Sequence, residues 1–292
     1  MKQVTSPAAF LAQYDAMCDR AAAQVIGAYS SSFSLASRVL APGVRRDIRN
    51  LYAVVRIADE IVDGTAVDAG EDPAALLDAY ERQVLEAPAR RFHTDPVLHA
   101  YAGSARRCGF AEEHIRAFFA SMRCDVQQTT YSPDEFATYV YGSAEVIGLL
   151  CLTAFLRGTQ VSAADRAEME AGARALGSAF QKINFLRDLG EDGSALGRTY
   201  FPQLRGRSLD DATKDDLVAG IRAELDRAGR AIPLLPDSAR VAVAAAEALF
   251  RELTDMVDNT AADELAVRRI SVPTRKKLLL TARAVAQKGL RS

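Results

Sequence analysis

The chain has 292 residues, 49% hydrophobic and 25% charged, which is enough apolar material for a large core. A net charge of −2 gives no field that would draw nucleic acid. Cys18, Cys108, Cys124 and Cys151 are scattered and form no CxxC pair, so buried thiols in a cytoplasmic protein are expected rather than a zinc site or disulfides. No run of about eighteen apolar residues is visible, so no membrane span is expected. Residues 1–7 lack the apolar stretch of a signal peptide. His93, His99 and His114 are not spaced for a metal and read as surface or helix-end residues.

Alanine is abundant, tryptophan is absent, and long segments repeat apolar residues at a 3.6-residue period. The expected fold is all-α, with residues 1–292 in one domain and no linker. A first helix is predicted over residues 7–27. A serine cluster follows at Ser30, Ser31, Ser32 and Ser34, around Phe33. Hydroxyls and free backbone N–H groups at a helix start suit an anion, although the same pattern serves as an ordinary cap. Pro42 and Gly43 break the chain, and a helix is predicted over 44–64. It carries Asp59 and Asp63 at i and i+4, preceded by Arg56, among Ile48, Leu51, Tyr52, Val55, Ile61 and Val62.

Helices are predicted at 73–85, 96–108 and 111–129, the last holding Asp125 and Gln128 at helical spacing. Ser132, Pro133, Asp134 and Glu135 start a helix running to 157. Its small residues Gly142, Ser143, Ala144 and Gly148 leave a groove, for close helix packing or for a long apolar ligand. Ser162 caps the helix that leads into the second acidic motif. There Asn184, Asp188 and Asp192 fall at i, i+4 and i+8, with Arg187 beside them and Ile183, Phe185, Leu186 and Leu189 to seat the helix. Arg198, in a loop over 193–206, is placed to fold back over a bound anion. Further helices are predicted from 208, over 236–259 and after Pro273. Arg268, Arg269, Arg275, Lys276 and Lys277 make this end basic, for a solvated or membrane-facing surface.

Rows of carboxylates on mostly buried helices are costly unless cations neutralise them. Mg²⁺ suits them, because it takes oxygen ligands and is held by one or two carboxylates plus substrate phosphates. Two such motifs, each with an arginine, would together clamp a diphosphate.

At these motifs the sequence resembles the squalene/phytoene synthases, most closely the bacterial phytoene synthases. The matching pieces are residues 29–33, 51–63, 139–144 and 181–192, with 198–202 behind them. The resemblance spans about residues 25–280. It implies an all-α prenyl-synthase fold around a central cavity and Mg²⁺ or Mn²⁺ held by Asp59, Asp63, Asp188 and Asp192, with Asn184 assisting. It implies diphosphate contacts from Ser30, Ser32, Arg56, Arg187, Arg269 and Arg198, and Tyr52, Tyr139 and Gln181 at the reaction centre. Prenyl tails would run past Phe33, Ser37, Ala144, Ile147 and Gly148. Departures from the family pattern are Glu60 for Asp, Lys182 for an apolar residue, Glu145 for Gly and Phe250 for Tyr.

The implied activity is head-to-head joining of two geranylgeranyl diphosphates to phytoene, through a cyclopropylcarbinyl diphosphate. The alternatives are a C15-using relative making dehydrosqualene, presqualene diphosphate or squalene, and a non-catalytic relative. The four aspartates argue against the last. No GxGxxG follows a strand, and no NADPH is expected. The implied partners are prenyl diphosphates and, peripherally, the inner face of a membrane.

Overall fold

The structure, a computed structural model, describes residues 7–191 and 198–289. The first helices are α1 (Pro7–Tyr29), α2 (Ser31–Ser37), α3 (Pro42–Val62), α4 (Thr65–Asp68) and α5 (Pro73–Glu86). Then come α6 (Pro96–Cys108), α7 (Glu112–Gln127), α8 (Pro133–Val140), α9 (Val146–Phe155) and α10 (Ala163–Arg187). The chain continues with α11 (Leu189–Glu191), α12 (Asp211–Ala231), α13 (Asp237–Asp258), α14 (Ala262–Leu265) and α15 (Thr274–Gly289). No strand forms among the described residues; Thr130 and Thr199 make one isolated parallel bridge.

Local chemistry sets the helix starts. The side chains of Asp72, Asp95, Ser132, Ser162 and Asp210 each accept a hydrogen bond from a backbone N–H of the first turn. Proline opens α3, α5, α6 and α8, where its missing N–H costs nothing. The helix predicted from 208 therefore begins only after the Asp210 cap.

Among the described residues the two largest apolar cores are these. One joins Leu51, Val54, Leu77, Phe119 and Leu150 from α3, α5, α7 and α9. The other joins Ile183, Leu186, Leu225 and Phe250 from α10, α12 and α13. The central cavity is walled by members of both.

Five sequence expectations are corrected. The helix predicted over 133–157 ends at Phe155 and contains a π-helical turn, Tyr141–Glu145, between α8 and α9. That turn lies against α7 so closely that a Cβ on Gly142 would stand 2.3 Å from the Ala117 carbonyl oxygen. The same stretch, Pro133–Phe155, is long and apolar enough to cross a membrane by length and composition. Its hydropathy has a local cause: it packs on α7 and α10, and Tyr139, Ile147, Cys151, Leu152 and Phe155 line the cavity.

The second acidic motif is not one continuous helix. Asp188 leaves helical geometry (φ −99°, ψ 9°) as the C-cap of α10, and α11 begins a new turn. The predicted third member, Asp192, lies outside the described residues. His99 is buried, not a surface group, and its Nε2 lies 2.7 Å from Asp15 Oδ1. Of the four free cysteines only Cys18 is fully buried; the other three are partly exposed.

Candidate active site

A cavity of about 900 Å³ runs between the two cores. Asp59, Asp63, Asn184 and Asp188 all line it, so two motifs more than a hundred residues apart share one space. Every other predicted site residue lines it as well, except Asp192 and the Ser32 side chain, which lie outside what is described.

The acidic groups sit where the backbone disfavours them. Asp63 is the C-cap of α3, and its N–H donates to the Asp59 carbonyl at 2.8 Å. Asp188 is the C-cap of α10, and its N–H donates to the Asn184 carbonyl at 2.9 Å. Helix C-termini carry the negative end of the macrodipole, so a carboxylate there is destabilised and a cation is favoured. Arginines supply part of the compensation. Arg56 Nη1 lies 3.8 Å from Asp59 and 3.9 Å from Asp63, and its other amino group pairs with Glu60. Its guanidinium also lies over the Tyr29 ring, 4.4 Å from the centroid. Across the cavity, Arg187 grips both oxygens of Asp188, and Arg269 Nε approaches Oδ1 at 3.0 Å. Compensation on the α3 side is incomplete: loss of water, then the neighbouring Asp63 charge, pushes the Asp59 carboxyl up to about 8.

Asp125, which the sequence marks only as a polar group at helical spacing with Gln128, joins the site. It stands in the last turn of α7, so a third helix C-terminus brings a carboxylate to the same end of the cavity. Tyr139 donates to its Oδ2 at 2.9 Å and Tyr200 to its Oδ1 at 3.3 Å. Arg198 closes the cluster. It donates to Asp63 Oδ1 at 3.2 Å and to the Val62 and Asp125 carbonyls at 2.7 and 3.0 Å. It is held there because the Thr199 N–H donates to the Thr129 carbonyl at 2.8 Å, zipping its loop to the end of α7. Arg198 is thus a brace between α3 and α7 rather than a free arm over an anion. Burial pushes Asp125 up to about 6, against the pull of Arg198 and the tyrosine hydroxyls. The available signal was an acid in the last turn of an apolar helix, as with Asp63. Lys277 was also passed over as a site residue: it lines the cavity and donates to Ser31 Oγ at 2.8 Å.

The donors fit Mg²⁺ or Mn²⁺ in kind. They are hard oxygens, and Asn184 Oδ1 is buried without a hydrogen-bond partner. Among the described residues no group of three His, Cys, Asp or Glu side chains is placed to hold a metal ion by itself. An open donor set suits an ion that completes its shell with waters and substrate phosphates.

The rest of the lining is largely aromatic and aliphatic. Phe180 and Phe250 stack with centroids 3.5 Å apart, and Phe33 stands 6.1 Å from each. Tyr52 lies 6.2 Å from Phe33, and Gln181 joins this stretch of the wall. Ser30 caps α2 by accepting from the Phe33 N–H, which realises the ordinary cap at the serine cluster. Ser37 is buried, and its hydroxyl is spent on the Ser34 carbonyl, leaving a small wall position. Ala144, Ile147 and Gly148 line the apolar part. Gly148 also packs so tightly on α10 that a Cβ would stand 2.4 Å from the Ala173 oxygen, so close packing and groove coexist. Two departures from the family pattern point elsewhere: Lys182 pairs with Glu224 and Glu145 with Arg174, and none of these four lines the cavity.

The family model described as squalene/phytoene synthase matches residues 26–231. A maize chloroplastic phytoene synthase is 31% identical over 280 residues, covering 89% of this chain but only 64% of its own length. The 15-cis-phytoene synthase of Synechococcus elongatus is 29% identical over 277 residues, covering 87% of this chain and 88% of its own. Among solved structures, a dehydrosqualene synthase superposes with a TM-score of 0.76 at 22% identity, over 96% of this chain and 98% of that one. A squalene synthase from Alicyclobacillus acidocaldarius gives 0.71 at 21% identity, over 89% and 97%. At these identities the two structures speak for the fold.

Proposed function

The chain belongs to the squalene/phytoene synthase family of prenyltransferases, and on that footing we propose that it joins two C20 geranylgeranyl diphosphates head to head to give phytoene. The observation that carries this reading is one cavity lined both by the carboxylates and arginines of the two motifs and by an aromatic and aliphatic wall. The maize and Synechococcus elongatus relatives are both phytoene synthases, which supports C20 over C15.

The reaction breaks an allylic C–O bond, leaving a carbocation and a diphosphate. Mg²⁺ held by Asp59, Asp63, Asn184 and Asp188 would supply positive charge to that leaving group. Arg56, Arg187 and Arg269 line the same end, and each can exchange a carboxylate oxygen for a phosphate oxygen. Ser30 adds a hydroxyl there. The cation needs a dry surface without nucleophiles. Phe33, Phe180 and Phe250 supply it, and their ring faces favour positive charge.

Attack of the second substrate's double bond on C1, with loss of a proton, gives the cyclopropylcarbinyl diphosphate. A second ionisation, rearrangement and proton loss give phytoene. Each half-reaction releases one diphosphate and one proton. Tyr139 lines the cavity and donates to Asp125, so a proton taken up at its oxygen would be balanced by its hydroxyl proton moving on to that carboxylate.

The test supplies purified protein and Mg²⁺ with C15 and C20 diphosphates separately, with and without NADPH, and identifies products by mass. The expected product is a C40 triene from the C20 substrate, unaffected by NADPH. Preference for C15, or a product that needs NADPH, would instead indicate the dehydrosqualene or squalene reaction.

A further inference from the structure

We propose that the outer face of α15 docks the protein on an anionic lipid bilayer, beside the mouth of the cavity; this rests on the reading of that cavity as a prenyl diphosphate site. The helix sequence TRKKLLLTARAVAQKG holds no acidic residue. Its inner side is fixed: Thr281 is buried, Lys276 pairs with Glu252 of α13 at 3.2 Å, and Lys277 bonds Ser31 of α2. Its outer side is unusual. Leu278 is 54% exposed, and Leu279 and Val285 are each 46% exposed. Arg275, Ala282 and Ala286 share this face, with Arg283 at its edge. Arg275 and Arg283 are exposed, and neither has a carboxylate within 4 Å among the described residues.

Aliphatic side chains between unpaired cations are the pattern of a helix lying in a membrane interface. The aliphatic groups enter the acyl boundary while the arginines meet anionic headgroups. Nucleic acid would satisfy only the arginines and leave the leucines in water. The helix also reaches the cavity rim: Lys277 bonds Ser31, and beside that contact Tyr29 is 52% and Phe33 38% exposed and both line the cavity. Docking there lets an apolar chain pass between cavity and bilayer without crossing water.

The experiment floats the full chain with vesicles of phosphatidylcholine alone and with vesicles enriched in phosphatidylglycerol. It compares wild type, Arg275→Glu/Arg283→Glu and Leu278→Ser/Leu279→Ser, and measures turnover of detergent-dispersed substrate in parallel. Wild type should bind the anionic vesicles and release in high salt. Each double variant should weaken binding roughly tenfold or more while keeping its detergent turnover and helical signal. Equal vesicle binding by wild type and variants, or none by wild type, overturns the proposal. So does a wild-type dimer that Leu278→Ser/Leu279→Ser dissociates with vesicle binding unchanged, since the face then joins two copies. Loss of wild-type detergent turnover would instead sink the enzymatic reading, with flotation still reporting on the face.

Discussion

Asp125 shows how one side chain acquires a role from its surroundings. Its neighbours in sequence are ordinary helix residues, and its partners Arg198 and Tyr200 lie more than seventy positions away. Its carboxylate accepts a hydrogen bond from the Tyr139 hydroxyl and balances Arg198, and Tyr139 lines the cavity. Asp125 then acts through Tyr139, as a positioning residue. Asp125→Asn should lower kcat by roughly ten- to a hundredfold with KM little changed, because the tyrosine hydroxyl loses its fixed orientation while the diphosphate contacts stay. Steady-state kinetics with coupled diphosphate detection checks this; a raised KM at full kcat would mean that Asp125 serves binding instead. Asp59, Asp63, Asn184 and Asp188 were legible because each pair repeats at i and i+4 among apolar residues. Asp125 has Gln128 but no second carboxylate at helical spacing, so its signal in the sequence is weak and its partners appear only in three dimensions.

The helix α3 is pinned at both ends by charge. Its C-terminal end carries Asp59 and Asp63, and its N-terminal end carries Asp47, fully buried. Asp47 accepts from Arg107 Nη2 at 2.6 Å and from Ser104 Oγ at 2.8 Å, tying α3 to α6. Burial alone would raise its pKa, but these hydrogen bonds hold it below the usual carboxylate range. A depressed folded-state pKa gives stability that is present above the unfolded value and lost as pH falls through the folded one. Wild-type Tm should therefore fall more steeply below about pH 4 than that of Asp47→Asn. At neutral pH the variant should be less stable by about 3 kcal/mol, since Arg107 loses its charge partner. Parallel acid limbs in thermal scans would show that the pair contributes nothing. Helix starts were readable from Asp, Ser and Pro, whose chemistry is local. The π-helical turn at Tyr141–Glu145 and the stop of α10 at Asp188 were not. Both are set by packing against distant backbone, α7 in one case and, at Gly190, the Ala266 carbonyl in the other.

Across the molecule, two apolar cores hold the C-terminal ends of α3, α7 and α10 around one end of a cavity. The all-α class followed from periodicity, whereas convergence of the motifs follows from packing that no single segment encodes. The arrangement assembles negative helix ends and carboxylates in one place, at a cost in stability that a bound cation and diphosphate would relieve. The central claim is that the α3 and α10 walls act as one site. It is tested by measuring diphosphate release from the C20 substrate in Asp59→Ala and Asp188→Ala, with helical circular dichroism as the folding control. Each variant alone should lose roughly a thousandfold or more in rate with helicity unchanged; release within about tenfold of wild type from either one would show that the two walls work independently.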